Sequence, residues 1–248
     1  WTPCVLLDDG NAYCWGYGAE NQFGDGDGTV NSATPVQVQI PSSENILSIA
    51  IGYYHGCAIV EGSGSNQDSR IYCWGRNGEG QVGDGSTTHR ATPVEISHSS
   101  HYNWASIAVG SYQTCAISLT NLVYCWGSGD DGTMGDGQDS DNIQYNQITL
   151  DTDYYRTNGI SIGNNFVCAS VTNLVGNSHA TGTQNHAHPY CWGEGSSGQL
   201  GNGQTTDYNT PSKVAPPPNT ATSLSAGHYH TCAILESAPT VNCWGQEY

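Results

Sequence analysis

The apolar positions of this chain fall in short β-branched runs, such as Ile49-Ala50-Ile51 and Ile107-Ala108-Val109, or alternate with polar ones, as in the stretches opened by Thr34-Pro35 and Thr92-Pro93. A 3.6-residue period is nowhere sustained, so helices are not expected. Runs of this length, bounded by Gly, Asp and Asn, predict short strands joined by tight turns.

The pattern repeats along nearly the whole chain. Cys-Trp-Gly begins at Cys14, Cys73, Cys125, Cys191 and Cys243, at intervals of 59, 52, 66 and 52 residues. Eight residues after the first four of these cysteines stand Gln22, Gln81, Thr133 and Gln199, each followed by an apolar residue, Gly, Asp or Asn, and Gly. A Thr-Pro pair ending at Pro35, Pro93 or Pro211 comes next, and the degenerate third copy has Tyr145-Asn146 there. Gly52, Gly110, Gly163 and Gly227 each stand five residues before the other cysteine of a pair. Each repeat therefore reads as about four short strands, the blade of a propeller, which protects its sheet edges by radial repetition. The expected fold is all-β, a β-propeller or open propeller segment of four-stranded blades, with about 50–60 residues per repeat.

Cysteine spacing fixes the middle of each blade. Structural zinc sites need close Cys-x-x-Cys pairs, which are absent here, so the ten cysteines read as disulfides. Residues facing each other in an antiparallel pair have a constant index sum. Pairing Cys4 with Cys14 makes Leu7 face Asn11 around Asp8-Asp9-Gly10, with Gly at the position of a type I turn plus bulge that needs positive φ. Cys115 with Cys125 gives the same loop with Asn121 in that place, the residue that tolerates it best after Gly. Cys57–Cys73, Cys168–Cys191 and Cys232–Cys243 follow the same scheme with other loop lengths. Five nearest-neighbour bridges, in hairpins 4–14, 57–73, 115–125, 168–191 and 232–243, are expected within one repeat domain spanning residues 1–248.

Composition narrows the setting. The formal charge is −17 with only five Lys and Arg, a field that repels phosphate backbones and anionic headgroups, so nucleic acid is not an expected partner. No apolar run reaches the roughly 18 residues of a membrane helix, so membrane insertion is not expected either. The chain begins at Trp1 and reads as a processed or trimmed product. Paired cysteines imply an oxidising compartment, hence an extracellular or cell-surface location. No Asn-x-Ser/Thr sequon occurs.

With Gly-x-x-x-x-Cys-Ala, Tyr-Cys-Trp-Gly, Gln-Leu-Gly-Asn-Gly and Thr-Pro in fixed order from about Cys4 to Gly245, the chain resembles the regulator of chromosome condensation repeat family. That resemblance implies propellers of four-stranded blades, usually seven, and its disulfide-bearing form is similar to repeats of secreted proteins. It implies a fold and no chemistry. The exchange-factor role of the family's nuclear member is not transferred to any residue of this chain.

Candidate chemistry is sparse. Gly127-x-Gly129-x-x-Gly132 and Gly193-x-Gly195-x-x-Gly198 match a dinucleotide-binding spacing, but no helix is expected after them, so they read as turns. No cofactor is expected as such, but Asp136, Asp139 and Asp141, with Asp130 and Asp131 nearby and Asp25 and Asp27 in the first repeat, are hard oxygen donors and form a calcium candidate. Asp in Gly-Asp-Gly equally caps its own turn. His179, His186 and His188 are a transition-metal candidate in the longest hairpin loop, while His55 and His230 read as structural. With no Gly-x-Ser-x-Gly elbow and no His-Glu-x-x-His, catalysis is not expected.

The expected function is a non-enzymatic extracellular structural or interaction module, a subunit of a cell-surface or filamentous assembly. Its partners would be proteins or copies of itself. A secreted protein- or glycan-binding propeller, an inhibitor or lectin-like domain using the hairpin tips at 61–69 and 172–187, is the alternative, and a glycan-acting enzyme a second one. Both ends of the chain supply the same cysteine hairpin, so simple self-closure into a ring is not expected. A longer polypeptide or head-to-tail packing is.

Overall fold

The computed structural model describes residues 2–28, 30–41, 44–62, 68–97, 103–150, 155–173, 187–215, 221–235 and 240–246. Five antiparallel sheets follow one another along the chain. The first holds β1 (Cys4–Leu6), β2 (Ala12–Tyr17) and β3 (Asn31–Gln37); the second β4 (Ile46–Ile51), β5 (His55–Glu61), β6 (Ser69–Gly75) and β7 (Arg90–Glu95). The third holds β8 (Trp104–Val109), β9 (Gln113–Ser118), β10 (Val123–Gly127) and β11 (Asn142–Ile148). The fourth holds β12 (Tyr155–Ile162), β13 (Phe166–Asn173), β14 (Ala187–Gly193) and β15 (Tyr208–Lys213), and the last β16 (Ala221–Ala226), β17 (His230–Leu235) and β18 (Val241–Gly245).

Each sheet is a meander, and in the second to the fifth the first strand lies innermost: β4 packs on β8, β8 on β12 and β12 on β16 around a common axis. The sheets are thus propeller blades. The first blade shows no inner strand and the last no outer strand among the described residues.

All five expected disulfides are formed, and the cysteines face each other in the register. Their Cα atoms are 4.1–4.2 Å apart, as in the close, non-hydrogen-bonded pairs of an antiparallel ladder. The tight loops are those expected: Leu7 N donates to Asn11 O at 2.9 Å, Ser118 N to Leu122 O at 2.9 Å, and Gly10 and Asn121 sit at φ 81° and 67°. One alignment is corrected. Cys125 pairs with Asn146 as Cys73 pairs with Val94, so Gln144-Tyr145, not Tyr145-Asn146, takes the Thr-Pro place. The register of the outer strand, rather than the spacing alone, decides this.

The core is not inside the blades but between them. Along β5 and β6 the side chains alternate, so Cys57, Ile59, Ile71 and Cys73 face the third blade, whereas Ala58, Val60, Tyr72 and Trp74 face the first. The same division builds the clusters between the third and fourth blades and between the fourth and fifth. Each interface therefore joins the disulfide face of one blade to the tryptophan face of the next.

The Gln-containing motif closes that interface. Phe23, Val82, Met134 and Leu200 are buried in it, and Gln22, Gln81, Thr133 and Gln199 are fully enclosed. Trp74 Nε1 donates to Gln22 O at 2.7 Å, Trp192 Nε1 to Thr133 O at 3.0 Å and Trp244 Nε1 to Gln199 O at 2.9 Å, which satisfies the indole N–H on burial. Trp126 differs: among the described residues its N–H has no acceptor. Gly24, Gly83, Gly135 and Gly201 lie flat on these four rings, and a Cβ there would stand 2.9, 2.6, 2.6 and 2.5 Å from an indole atom. Their φ values of 64°, 84°, 69° and 65° make glycine doubly required. The following Asp or Asn caps its own turn in all four copies: Asp25, Asp84, Asp136 and Asn202 accept the N–H of Asp27, Ser86, Gln138 and Gln204.

Candidate functional site

Meander topology sends every hairpin tip to one end of the blades. The turns after the inner strands, and the loops carrying the Gln motifs, go to the other. At this second end the axis opens into a funnel of about 470 Å³. Four blades contribute the same positions: apolar Ile51, Val109, Ile162 and Ala226 form the wall, and Gly52, Gly110, Gly163 and Gly227 form the throat. Glycine is needed there because the blades converge; a Cβ on Gly52 would stand 1.9 Å from Gly110 O. Backbone bonds lace neighbours together, Tyr53 N to Gly110 O at 3.4 Å and Asn164 N to His228 O at 3.3 Å. The volume lies in the range of ordinary ligand pockets.

The rim is aromatic. Tyr17 and Tyr53 line the funnel and are 41% and 52% exposed, and His228 lines it as well. Tyr53 meets Tyr54 edge-on at 4.6 Å, and Tyr54 lies 4.9 Å from Tyr112 of the next blade. The Arg76 guanidinium sits over both latter rings, 5.2 and 5.3 Å from their centroids. Hydrogen bonding with Tyr54 and burial push the Tyr112 phenol up to about 12. The Tyr112 phenol therefore stays protonated across the physiological range.

Around the rim the loops are acidic. A second cavity of about 560 Å³ lies between the third and fourth blades, lined by Asp130, Asp131, Asp139 and Asp207 with Tyr208, Asn209 and Thr210. Asp131 accepts from Asn165 Nδ2 at 3.0 Å, and Asp207 accepts from Gly195 N at 2.9 Å. The cations of this face are engaged: Arg76 with Glu79 at 3.6 Å, Arg90 with Asp84 at 2.5 Å. Burial acts to raise the Asp84 carboxyl, but hydrogen bonds from Ser86 and Arg90 outweigh it and hold the group below the usual range.

The calcium candidates divide: Asp130, Asp131 and Asp139 line this second cavity, and Asp136 and Asp141 do not. Asp136 spends one oxygen on Gln138 N and the other on Asn142 and Asn146, and Asp141 accepts from Gly129 N. Among the described residues no three His, Cys, Asp or Glu side chains come together in a metal-holding group. His179 and His186 lie outside the described residues, as do most of the tip loops, and His188 sits on β14. The glycine-rich segments open no α-helix: Gly129 leads into a single 3-10 turn, Asp130–Gly132.

His55 is structural, as read. It is fully buried, and desolvation pulls its imidazole down to about 3. Thr114 Oγ1 donates to Gln81 O at 2.9 Å, so the 2.7 Å contact between His55 Nε2 and Thr114 Oγ1 is a donation from the neutral ring. The funnel was not anticipated from the sequence. Its signal was present in the glycines five residues before each cysteine and in the Tyr and His that follow them.

No helix among the described residues is long and apolar enough to cross a membrane. The family model described as Regulator of chromosome condensation (RCC1) repeat matches residues 9–59, 68–117 and 189–234, and a second of the same description matches 46–81 and 104–133. The degenerate third repeat accounts for most of the gap. The probable E3 ubiquitin-protein ligase HERC6 of Homo sapiens is 25% identical over 97% of this chain and 22% of its own length. The ultraviolet-B receptor UVR8 of Arabidopsis thaliana is 30% identical over 81% of this chain and 41% of its own. Prp20p of Saccharomyces cerevisiae, described as binding Gsp1p and histones, superposes with a TM-score of 0.74 at 18% identity, over 98% of this chain and 56% of that one. This chain thus spans less than two thirds of each of these proteins. With the matched repeats covering more than half of its residues and the blades built as described, the chain belongs to the RCC1 repeat family.

Proposed function

We propose that this chain is a non-enzymatic interaction module that works outside the cytosol, at the cell surface or in an extracellular assembly, with proteins as its partners. One observation carries the reading: every blade is stapled by its own disulfide and no free cysteine remains. Cytosolic glutathione would keep such thiols reduced. That UVR8 is a receptor and that Prp20p binds Gsp1p and histones supports a binding role for similar blades.

The ends of the array support assembly. Val5 and Leu7 are exposed on the tryptophan face of the first blade, and Val241 and Cys243 on the disulfide face of the last. These are the two halves of the interface used between successive blades. Further blades, or copies of this chain meeting head to tail, would cover both. Sedimentation velocity of the purified chain tests this. Concentration-dependent species heavier than 26.3 kDa, abolished by Val241→Asp, are expected. A monodisperse 26.3 kDa monomer at all concentrations would contradict self-assembly.

A further inference from the structure

We infer that the axial face receives a lysine- or arginine-rich segment of a protein partner, with one apolar side chain of that segment seated in the funnel. The inference rests on the reading of the chain as a protein-interaction module and adds the chemistry of the partner.

The funnel supplies the anchor point. Interfaces are held by a few large side chains seated in central, desolvated pockets, with Tyr and Arg enriched around them. Here the pocket wall is Ile51, Val109, Ile162 and Ala226, and the rim carries Tyr17, Tyr53, Tyr54 and Tyr112 with Arg76. Among the described residues no Asp, Glu, Lys or Arg side chain lines it, which suits an apolar occupant.

Charge complementarity identifies what flanks that anchor. The surrounding loops are acidic, in a chain of net charge −17, and their arginines are already paired. The two cavities are neighbours: Asn164 lines the funnel, and Asn165 beside it donates to Asp131 in the wall of the acidic cavity. An extended segment with its apolar residue in the funnel therefore brings an adjacent cation over Asp130 and Asp139, both exposed. The face already holds one guanidinium on aromatic rings, that of Arg76. An acidic or phosphorylated segment would meet repulsion at the same loops.

Fluorescence anisotropy of labelled five-residue peptides against the whole disulfide-bonded chain, at physiological ionic strength, tests this. Lys-Lys-Leu-Lys-Lys should bind, and replacing its Leu by Ser should weaken binding about tenfold, the loss of one buried anchor. The protein variant Tyr53→Ser/His228→Ser should produce a similar loss. Asp130→Asn/Asp139→Asn, which removes charge from exposed carboxylates without changing shape, should weaken binding about three- to tenfold. Asp8→Asn/Glu61→Gln, with the same charge change at the opposite end, should leave it unaltered. Equal binding of the Leu and Ser peptides, or equal losses from both charge-neutralised variants, would reduce the effect to bulk charge and overturn the inference. Binding of Glu-Glu-Leu-Glu-Glu in preference would overturn the basic partner while keeping the interaction module. If none of the peptides binds while the chain still assembles and keeps its disulfides, the face inference falls alone.

Discussion

The disulfide of the second blade and that of the last are the same chemical object in different surroundings. Cys57 and Cys73 are fully buried under the third blade, whereas Cys243 is exposed and Cys232 only half-buried because no described blade covers them. Their backbone register is identical. The staple is therefore a property of one blade, while its burial is contributed by the neighbour. Stability in this array is local in its covalent part and nearest-neighbour in its hydrophobic part, as in other repeat architectures.

That division makes the tryptophans the most sensitive probes. Trp74 is fully buried between blades and bonded to Gln22 O, so Trp74→Ala should destabilise the chain by about 3–5 kcal/mol. Trp15 occupies the equivalent place on the uncovered face of the first blade and is only half-buried, so Trp15→Ala should cost about 1 kcal/mol or less. Urea melts of both variants check the contrast. Equal losses would mean that the blades do not depend on their neighbours.

Glycines sharpen it. Gly83 and Gly28 both have positive φ, 84° and 63°, but a Cβ on Gly83 would collide with Trp126 while one on Gly28 meets nothing within 4 Å. Gly28→Ala should cost only the backbone strain, about 1–2 kcal/mol. Gly83→Ala should add about 1–3 kcal/mol of overpacking against the next blade. Similar melts for the two would show that the indole does not rest on the glycine.

Acid should loosen the interface between the second and third blades first. The folded state holds His55 neutral down to about pH 3, while the unfolded chain takes up its proton near the ordinary imidazole value of 6.5. The unfolded state thus binds more protons in that window, and stability present above pH 6.5 is lost as the pH falls toward 3, by about 1.4 kcal/mol per unit. His55→Gln, which places there the residue that Gln113 supplies in the next blade, should flatten this slope in melts at pH 7 and 5.5. An unchanged slope would assign the acid sensitivity to other groups.

The smallest effect is kinetic. A phosphine reductant applied to the native protein should open Cys232–Cys243 before the enclosed bridges, as read by alkylation and mass mapping. Opening of Cys57–Cys73 first would reverse the burial argument.

How much of this was legible follows from range. Cys4–Cys14 and Cys115–Cys125 could be paired from the sequence because an antiparallel hairpin turns index sums into contacts, and Gly10 and Asn121 marked the turns. The contact of Gly24 with Trp74 could not be read, since it joins different blades and depends on how sheets pack around an axis. The funnel is further removed still: Ile51, Val109, Ile162 and Ala226 are ordinary strand ends until four blades bring them together. Asp136 looked like a ligand because carboxylate chemistry is visible in a sequence, whereas the prior claims of Gln138, Asn142 and Asn146 on it are not.

A disulfide framework built blade by blade in an oxidising compartment can be read by trapping thiols with an alkylating reagent as the protein is collected from its native source. Non-reducing peptide mapping then follows. No alkylated cysteine is expected, and the pairs should be Cys4–Cys14, Cys57–Cys73, Cys115–Cys125, Cys168–Cys191 and Cys232–Cys243. Alkylated cysteines at the buried blades, or any bridge between two blades, would contradict it.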